Sequence, residues 1–184
     1  MSHVRERNTS EHINREMIKY VTSMVTFEEV PTEVTLSLSI SNCQGRCPGC
    51  HSPELRCNIG TELTNEKLDE LITKNSGISC VLLLGEGNDK EELRRVAERV
   101  RNHWKLRVAL YSGRDTIEKD LCKFFDYVKI GSYQEKLGPL NKVTTNQRLY
   151  QFSPLFSDYS VLGKGWRDIT FMFWKKNEDR KFHT

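Results

Sequence analysis

Glu33-Val-Thr-Leu-Ser-Leu-Ser-Ile-Ser-Asn-Cys43-Gln-Gly-Arg-Cys47-Pro-Gly-Cys50-His-Ser-Pro-Glu54 carries an alternating segment straight into a cysteine-rich loop. Leu36, Leu38 and Ile40 fall on one face and Ser37, Ser39 and Ser41 on the other, the period of a strand. Gly45, Pro48, Gly49 and Pro53 then mark a turn-rich loop. It holds Cys43, Cys47 and Cys50, spaced by three and then two residues. Three thiolates on one tight loop can hold a metal centre. A closed zinc site or an ordinary electron-transfer cluster takes four protein ligands. A [4Fe–4S] cube on three cysteines keeps one iron open for another ligand.

The segments that follow extend the pattern. Thr64 to Asn75 reads as a helix capped by Thr64, with Leu68, Leu71 and Ile72 inward. Cys80 to Leu84 is an unbroken apolar run, as in a strand buried on both faces of a parallel sheet. Gly85 to Asp89 forms a turn, and Asp89 with Glu92 makes a capping-box start for a helix with a Leu93, Val96, Ala97 and Val100 stripe. Leu106 to Tyr111 is a third strand with Ser112-Gly113-Arg114 as its exit turn. Asp115 to Phe125 reads as a third helix capped by Asp115, and Tyr127 to Ile130 as a fourth strand. Asn146 to Phe152 fits a short helix or strand, and Asp168 to Trp174 a last strand.

Alternating strands and helices mean βαβ units and a parallel sheet. Ligands of such sheets bind beyond the carboxyl ends of the strands. The cysteine loop, Gly85 to Asp89 and Ser112 to Arg114 all fall at that edge. The expected fold is α/β, a partial (βα) barrel, because four or five units are too few for a closed barrel of ~250 residues. Upstream, Ile13, Met17, Val21 and Met24 recur at helical spacing, giving an amphipathic helix over Ser10 to Met24. The expected division is an N-terminal helical extension, residues 1–30, and a main domain, residues 31–184.

The chain of 184 residues has 28 Lys and Arg against 25 Asp and Glu, a net charge of +3, and no basic run interleaved with aromatics. Nucleic acid is not an expected partner. No apolar run approaches the ~20 residues of a membrane span. Met1 to Glu11 is polar and lacks a secretory apolar stretch, so the expected location is cytoplasmic, where thiols stay reduced.

Alternatives for the cysteines are structural zinc, with Cys57 or less readily His51 as fourth ligand, or an inert or disulfide-bonded loop. Cys80 and Cys122 read as small core residues. Gly85-Glu86-Gly87 is either a plain turn or a place of close backbone approach to a cofactor's ammonium. Arg114 and Lys129, near strand ends, are surface charges or carboxylate contacts.

The chain resembles the activating proteins of anaerobic (class III) ribonucleoside-triphosphate reductases, small radical S-adenosylmethionine (SAM) enzymes. The resemblance spans roughly Thr26 to Trp174 and is strongest at Cys43-Gln-Gly-Arg-Cys47-Pro-Gly-Cys50-His-Ser-Pro-Glu54. Phe27-Glu-Glu-Val-Pro31, Tyr111-Ser-Gly-Arg114 and Phe125-Asp-Tyr-Val-Lys-Ile-Gly131 support it, as do Gly138-Pro-Leu-Asn141 and Thr144-Thr-Asn-Gln-Arg148.

The resemblance implies that Cys43, Cys47 and Cys50 ligate a [4Fe–4S] cluster. It places SAM near Gly49, Gly85, Glu86, Gly87, Ser112, Arg114 and Lys129. The order Gly85-Glu86-Gly87 departs from the family's Gly-Gly followed by an acid, and Gly49 stands where the wider superfamily has an aromatic. The implied activity is reductive cleavage of SAM and formation of a glycyl radical on the reductase, with a low-potential electron donor as second partner. A radical SAM enzyme for a small molecule and a non-catalytic zinc-stabilised binding module are the alternatives.

Overall fold

The computed structural model describes residues 16–174. In chain order the strands are β1 (Lys19–Thr26), β2 (Thr35–Ile40), β3 (Thr61–Glu62), β4 (Cys80–Leu84), β5 (Arg107–Tyr111), β6 (Tyr127–Ile130), β7 (Arg148–Phe152), β8 (Tyr159–Ser160), β9 (Gly163–Lys164) and β10 (Trp166–Asp168). The helices are α1 (Asn65–Lys74), α2 (Lys90–Glu98) and the short α3 (Lys119–Cys122). Among the described residues, eight strands form one sheet in the order β10-β7-β6-β5-β4-β2-β1-β3, and β8 with β9 makes a separate hairpin. The centre, β2-β4-β5-β6, is parallel. Both flanks are antiparallel, so the architecture is α/β with a mixed sheet.

The two faces of the sheet differ. Leu36, Leu38 and Ile40 of β2 and Val81 and Leu83 of β4 pack with Leu68, Leu71 and Ile72 of α1 and Leu93 and Val96 of α2. Fully burying each such side chain contributes about 1.5–3 kcal/mol. The opposite face has a smaller core of Cys80, Leu82, Ala109, Tyr111, Tyr127 and Leu149, and Val30 packs into it from the loop between β1 and β2. Its upper row runs Ser39, Leu84, Tyr111, Lys129 across β2, β4, β5 and β6. The serines expected opposite Leu36 and Leu38 therefore face this second interior rather than open solvent, and Ser37 is 2% exposed.

Helix starts follow the local chemistry. The Thr64 hydroxyl accepts from the Lys67 amide at 3.1 Å, and the Asp89 carboxylate accepts from the Glu91 and Glu92 amides at 2.9 and 3.2 Å. Both caps stand where the sequence puts them. The helix of α2 runs on through a π-helical turn, Arg99–His103.

Three expectations are corrected. The helix over Ser10–Met24 is not formed in its described part: Lys19–Thr26 is strand β1, and residues 10–15 lie outside the described residues. Without β1, the outer edge of β2 would leave a row of backbone groups unpaired. Val21, Thr22, Val25 and Thr26 are β-branched, which suits the extended state. Met24, a supposed inward helix position, is 60% exposed. Thr22 Oγ1 donates to Ser39 Oγ at 2.8 Å across the pair.

The third helix is only Lys119–Cys122, not Asp115–Phe125. The Asp115 carboxylate accepts instead from the Ser132 amide and hydroxyl at 2.9 and 3.1 Å, which ties it to the loop after β6 and removes it as a cap. The last strand is Trp166–Asp168 rather than Asp168–Trp174. Asp168 Oδ1 accepts from the Thr170 amide at 2.8 Å, a side-chain turn that ends the strand, and 171–174 are helical. Arg148–Phe152 is a strand, antiparallel to β6. No helix among the described residues is long and apolar enough to cross a membrane.

Candidate metal and cofactor site

Three loops leave the carboxyl ends of the parallel strands and meet at one edge. The cysteine loop after β2 is held at its base by Cys43 N donating to Leu55 O at 2.8 Å and Asn42 N donating to Cys57 O at 3.0 Å. Cys50 N donates to Cys47 O at 3.3 Å, closing the Pro48-Gly49 turn, and Arg56 Nη2 reaches the same carbonyl at 3.1 Å. The loop after β5 comes against it: Cys47 Sγ donates to Gly113 O at 3.5 Å.

Cys43, Cys47 and Cys50 all open on one cavity of about 600 Å³, and none is in a disulfide. That volume suits a small-molecule ligand. The floor of the cavity is the register row Ser39, Leu84, Tyr111 and Lys129. Its other walls include Glu28 and Glu29 from the loop before β2, His51, Gly85, Tyr133 and Gln147.

Among the described residues, no three His, Cys, Asp or Glu side chains converge closely enough to hold one metal ion. A cube-shaped cluster takes each thiolate on a different iron, so its three ligands ring the cluster rather than converge. The space beside the sulfurs is kept clear of side chains. A Cβ at Gly45 would come within 3.3 Å of Cys43 Sγ and 3.9 Å of Cys47 Sγ, and one at Gly113 within 3.1 Å of Cys47 Sγ. Three thiols on a shared cavity, with glycines at the closest approaches, fit a three-cysteine cluster. Cys57 is exposed and does not line the cavity, and Cys80 and Cys122 are buried in the cores.

The other candidate residues separate into two groups. Gly85 and Lys129 line the cavity. Gly85 has a φ of 109° and donates its amide to Tyr111 O at 3.0 Å, which closes the end of β4 onto β5. Glu86, Ser112 and Arg114 lie together behind the cysteine loop and not on the large cavity. The Ser112 hydroxyl donates to Glu86 Oε1, Arg114 N donates to Ser112 Oγ at 2.9 Å, and Arg114 Nε lies 3.5 Å from Glu86 Oε2. This cluster, buried at Glu86 and Ser112 and exposed at Arg114, meets Cys43, Gly45 and Gly113 in a crevice of about 10 Å³. A Cβ added at Gly87 would meet Ile40 and Ile18, and one added at Gly49 the Tyr133 ring. The geometry gives Glu86, Ser112 and Arg114 a bracing position behind the loop, and neither Gly49 nor Gly87 lines the large cavity.

Charge inside the cavity is only partly compensated. Burial pulls the Lys129 ammonium down to about 8, opposed by the nearby Cys47 and Glu29. Burial raises the Glu29 carboxyl above its usual range, opposed by Lys129. Between them stands Tyr111, whose hydroxyl donates to the Glu29 carbonyl and whose ring centre is 5.6 Å from Lys129 Nζ. Burial pushes the Tyr111 hydroxyl well above its ordinary value, so it stays a donor.

Sequence reasoning did not single out Glu28, Glu29, Tyr111 or Tyr133 as site residues. Glu28 and Glu29 fall at the end of the expected N-terminal extension, residues 1–30, and only the inward fold of the loop before β2, anchored by Val30, brings them to the cavity. For Tyr111 a signal existed: it shares strand parity with Ala109, facing away from Val108 and Leu110. Tyr133 meets His51 edge-on at 4.6 Å across two loops far apart in sequence.

Compared with protein-family models, with curated proteins and with solved structures, the chain gives no match in any of the three.

Proposed function

We propose that the protein is an iron–sulfur, SAM-dependent activase that cleaves SAM reductively and generates a glycyl radical on an anaerobic ribonucleoside-triphosphate reductase. The observation that carries this reading is the opening of three unpaired thiols, Cys43, Cys47 and Cys50, on one cavity at the carboxyl edge of the parallel strands. Bound there, a [4Fe–4S] cluster would supply the electron that breaks the sulfonium bond of SAM and yields a carbon radical able to take hydrogen from a glycine.

The chain's own residues have the remaining tasks. Cys43, Cys47 and Cys50 hold the cluster through thiolates. Gly45 and Gly113 keep the space beside the sulfurs free of side chains. The Glu86–Ser112–Arg114 cluster braces the loop from behind. Lys129, Glu29 and Gly85 line the space for SAM. Leu84, Leu140 and Phe173 add apolar walls that limit water around a reactive species. In this reading the sheet is a partial barrel whose unclosed side admits a glycine-bearing loop of the partner. The protein works in the cytoplasm with a low-potential electron donor.

The test is anaerobic reconstitution with iron and sulfide, followed by reduction and addition of SAM. The expected result is bound iron and sulfide in equal amount and release of 5′-deoxyadenosine. Cys47→Ala abolishes both, and Cys57→Ala abolishes neither. Stoichiometric zinc with no iron, or loss of metal on replacing Cys57, overturns the reading in favour of a zinc-stabilised module.

A further inference from the structure

Strand β1 covers the edge of β2 and takes on the same problem at its own outer edge. Among the described residues, β3 pairs there with Lys19 and Tyr20 alone, so no strand flanks Thr22–Thr26 on that side. The register of β1 on β2 shifts between Tyr20 and Thr22, a bulge that separates the covered part from the open one. Thr22, Ser23, Met24 and Val25 are all exposed, and Phe27, just beyond the strand, is 65% exposed.

An open strand edge is a template for another strand, and proteins usually blunt it with charge, proline or shortness. The sheet's other outer strands carry such devices. β10 has three residues, among them Arg167 and Asp168, and β3 has two, one of them Glu62. The open part of β1 carries none: no Lys, Arg, Asp, Glu or Pro falls between Lys19 and Glu28.

The strand is suited to its own copy. Two identical strands related by a two-fold axis pair antiparallel, and like charges set opposite each other would push them apart. A neutral strip meets itself without that cost, although the whole chain carries a net charge of +3. Opposed residues must also share a face of the sheet, so the axis has to pass through a residue. Of the possible centres, only Met24 pairs all of Thr22–Thr26. Centring on Ser23 runs into Tyr20, which β3 already holds, and centring on Val25 runs past the strand end to Glu28. With Met24 opposite Met24, Thr22 faces Thr26, Ser23 faces Val25, and Phe27 faces Val21. Threonine pairs and aromatic pairs with β-branched residues are favourable across strands.

We propose that the outer edge of β1 pairs with the same edge of a second copy, centred on Met24, joining the two sheets into one. The pairing needs neither the cysteines nor a cofactor. It extends from Thr22 toward the level of Thr35, the start of β2, and leaves the cysteine loop that follows Ile40 outside it.

The test is sedimentation velocity on the full chain under reducing conditions, from about 1 to about 300 µM. Val21–Phe27 on each side falls short of the ~20–30 residues of a standard interface, so half-dissociation is expected at about 10–100 µM. Met24→Lys and Met24→Glu each set like charges face to face at the axis, and each is expected to weaken association at least ~10-fold. An equimolar mixture of the two is expected to associate again, because opposite charges then meet. Leu155→Lys, at an apolar residue 91% exposed outside β1, is expected to change nothing.

Wild-type protein that stays monomeric across the range overturns the pairing and leaves the edge to a strand of another protein. Association that survives both Met24 variants overturns it as well, as does a mixture that stays monomeric. Association lost with Leu155→Lys and kept with Met24→Lys places the contact elsewhere and overturns it too.

Discussion

Lys129→Met replaces a half-buried ammonium on the cavity floor with an apolar side chain of similar length. The ordinary lysine value is 10.5 and the fold holds Lys129 at about 8, a gap of about 2.5 pH units. At about 1.4 kcal/mol per pH unit, the folded state carries a penalty of about 3 kcal/mol for keeping this group charged at neutral pH. Below pH 8 both folded and unfolded chains hold the proton, and the full penalty applies. From pH 8 to 10.5 the folded chain has lost the proton and the unfolded chain keeps it, so stability rises with pH and the penalty disappears.

Lys129→Met is therefore expected to raise the stability of metal-free protein by up to about 3 kcal/mol at pH 7. That advantage should shrink to near zero by about pH 10.5. Urea unfolding of both proteins at several pH values between 7 and 10.5 measures it, because titrations common to the two cancel in the difference. A variant equally or less stable than wild type at pH 7 refutes the reasoning, as does a gain that does not change with pH.

Two further outcomes concern the framework. The Tyr127 hydroxyl donates to Glu33 Oε1 at 2.7 Å and accepts from Arg107 Nη1 at 2.6 Å and Gln151 Nε2 at 3.3 Å, joining strands at the edge away from the cysteines. Tyr127→Phe is expected to cost about 1–3 kcal/mol in urea unfolding while iron content after reconstitution stays that of wild type; loss of iron would mean the two edges are coupled. Asp89→Ala removes the carboxylate that caps α2 and is expected to cost about 1 kcal/mol. An unchanged unfolding midpoint would show that water replaces the cap without loss.

Local chemistry wrote a large part of the fold into the chain. The alternation of Thr35–Ile40, the apolar run Cys80–Leu84 and the caps at Thr64 and Asp89 all depend on near neighbours, and each stands where the residues imply. The same locality misled elsewhere. Ile13, Met17, Val21 and Met24 have helical spacing, but the outer edge of β2 needed backbone partners and took Lys19–Thr26 as a strand. Asp115 has the character of a cap, yet Ser132 claims its carboxylate from across the fold.

For the site, the sequence by itself determined that three thiols leave one strand end together, because the spacing of Cys43, Cys47 and Cys50 is a property of a single loop. It also put Gly85 and Lys129 at or near the carboxyl ends of strands. Only the tertiary structure decided which of these groups share a cavity. Glu86 and Arg114, both expected as cofactor contacts, pair with each other behind the loop. Glu29, 14 positions before Cys43, comes into the cavity because Val30 buries itself against the inner face of the sheet. Short-range spacing fixes what a loop can present, whereas burial and long-range pairing fix what it faces.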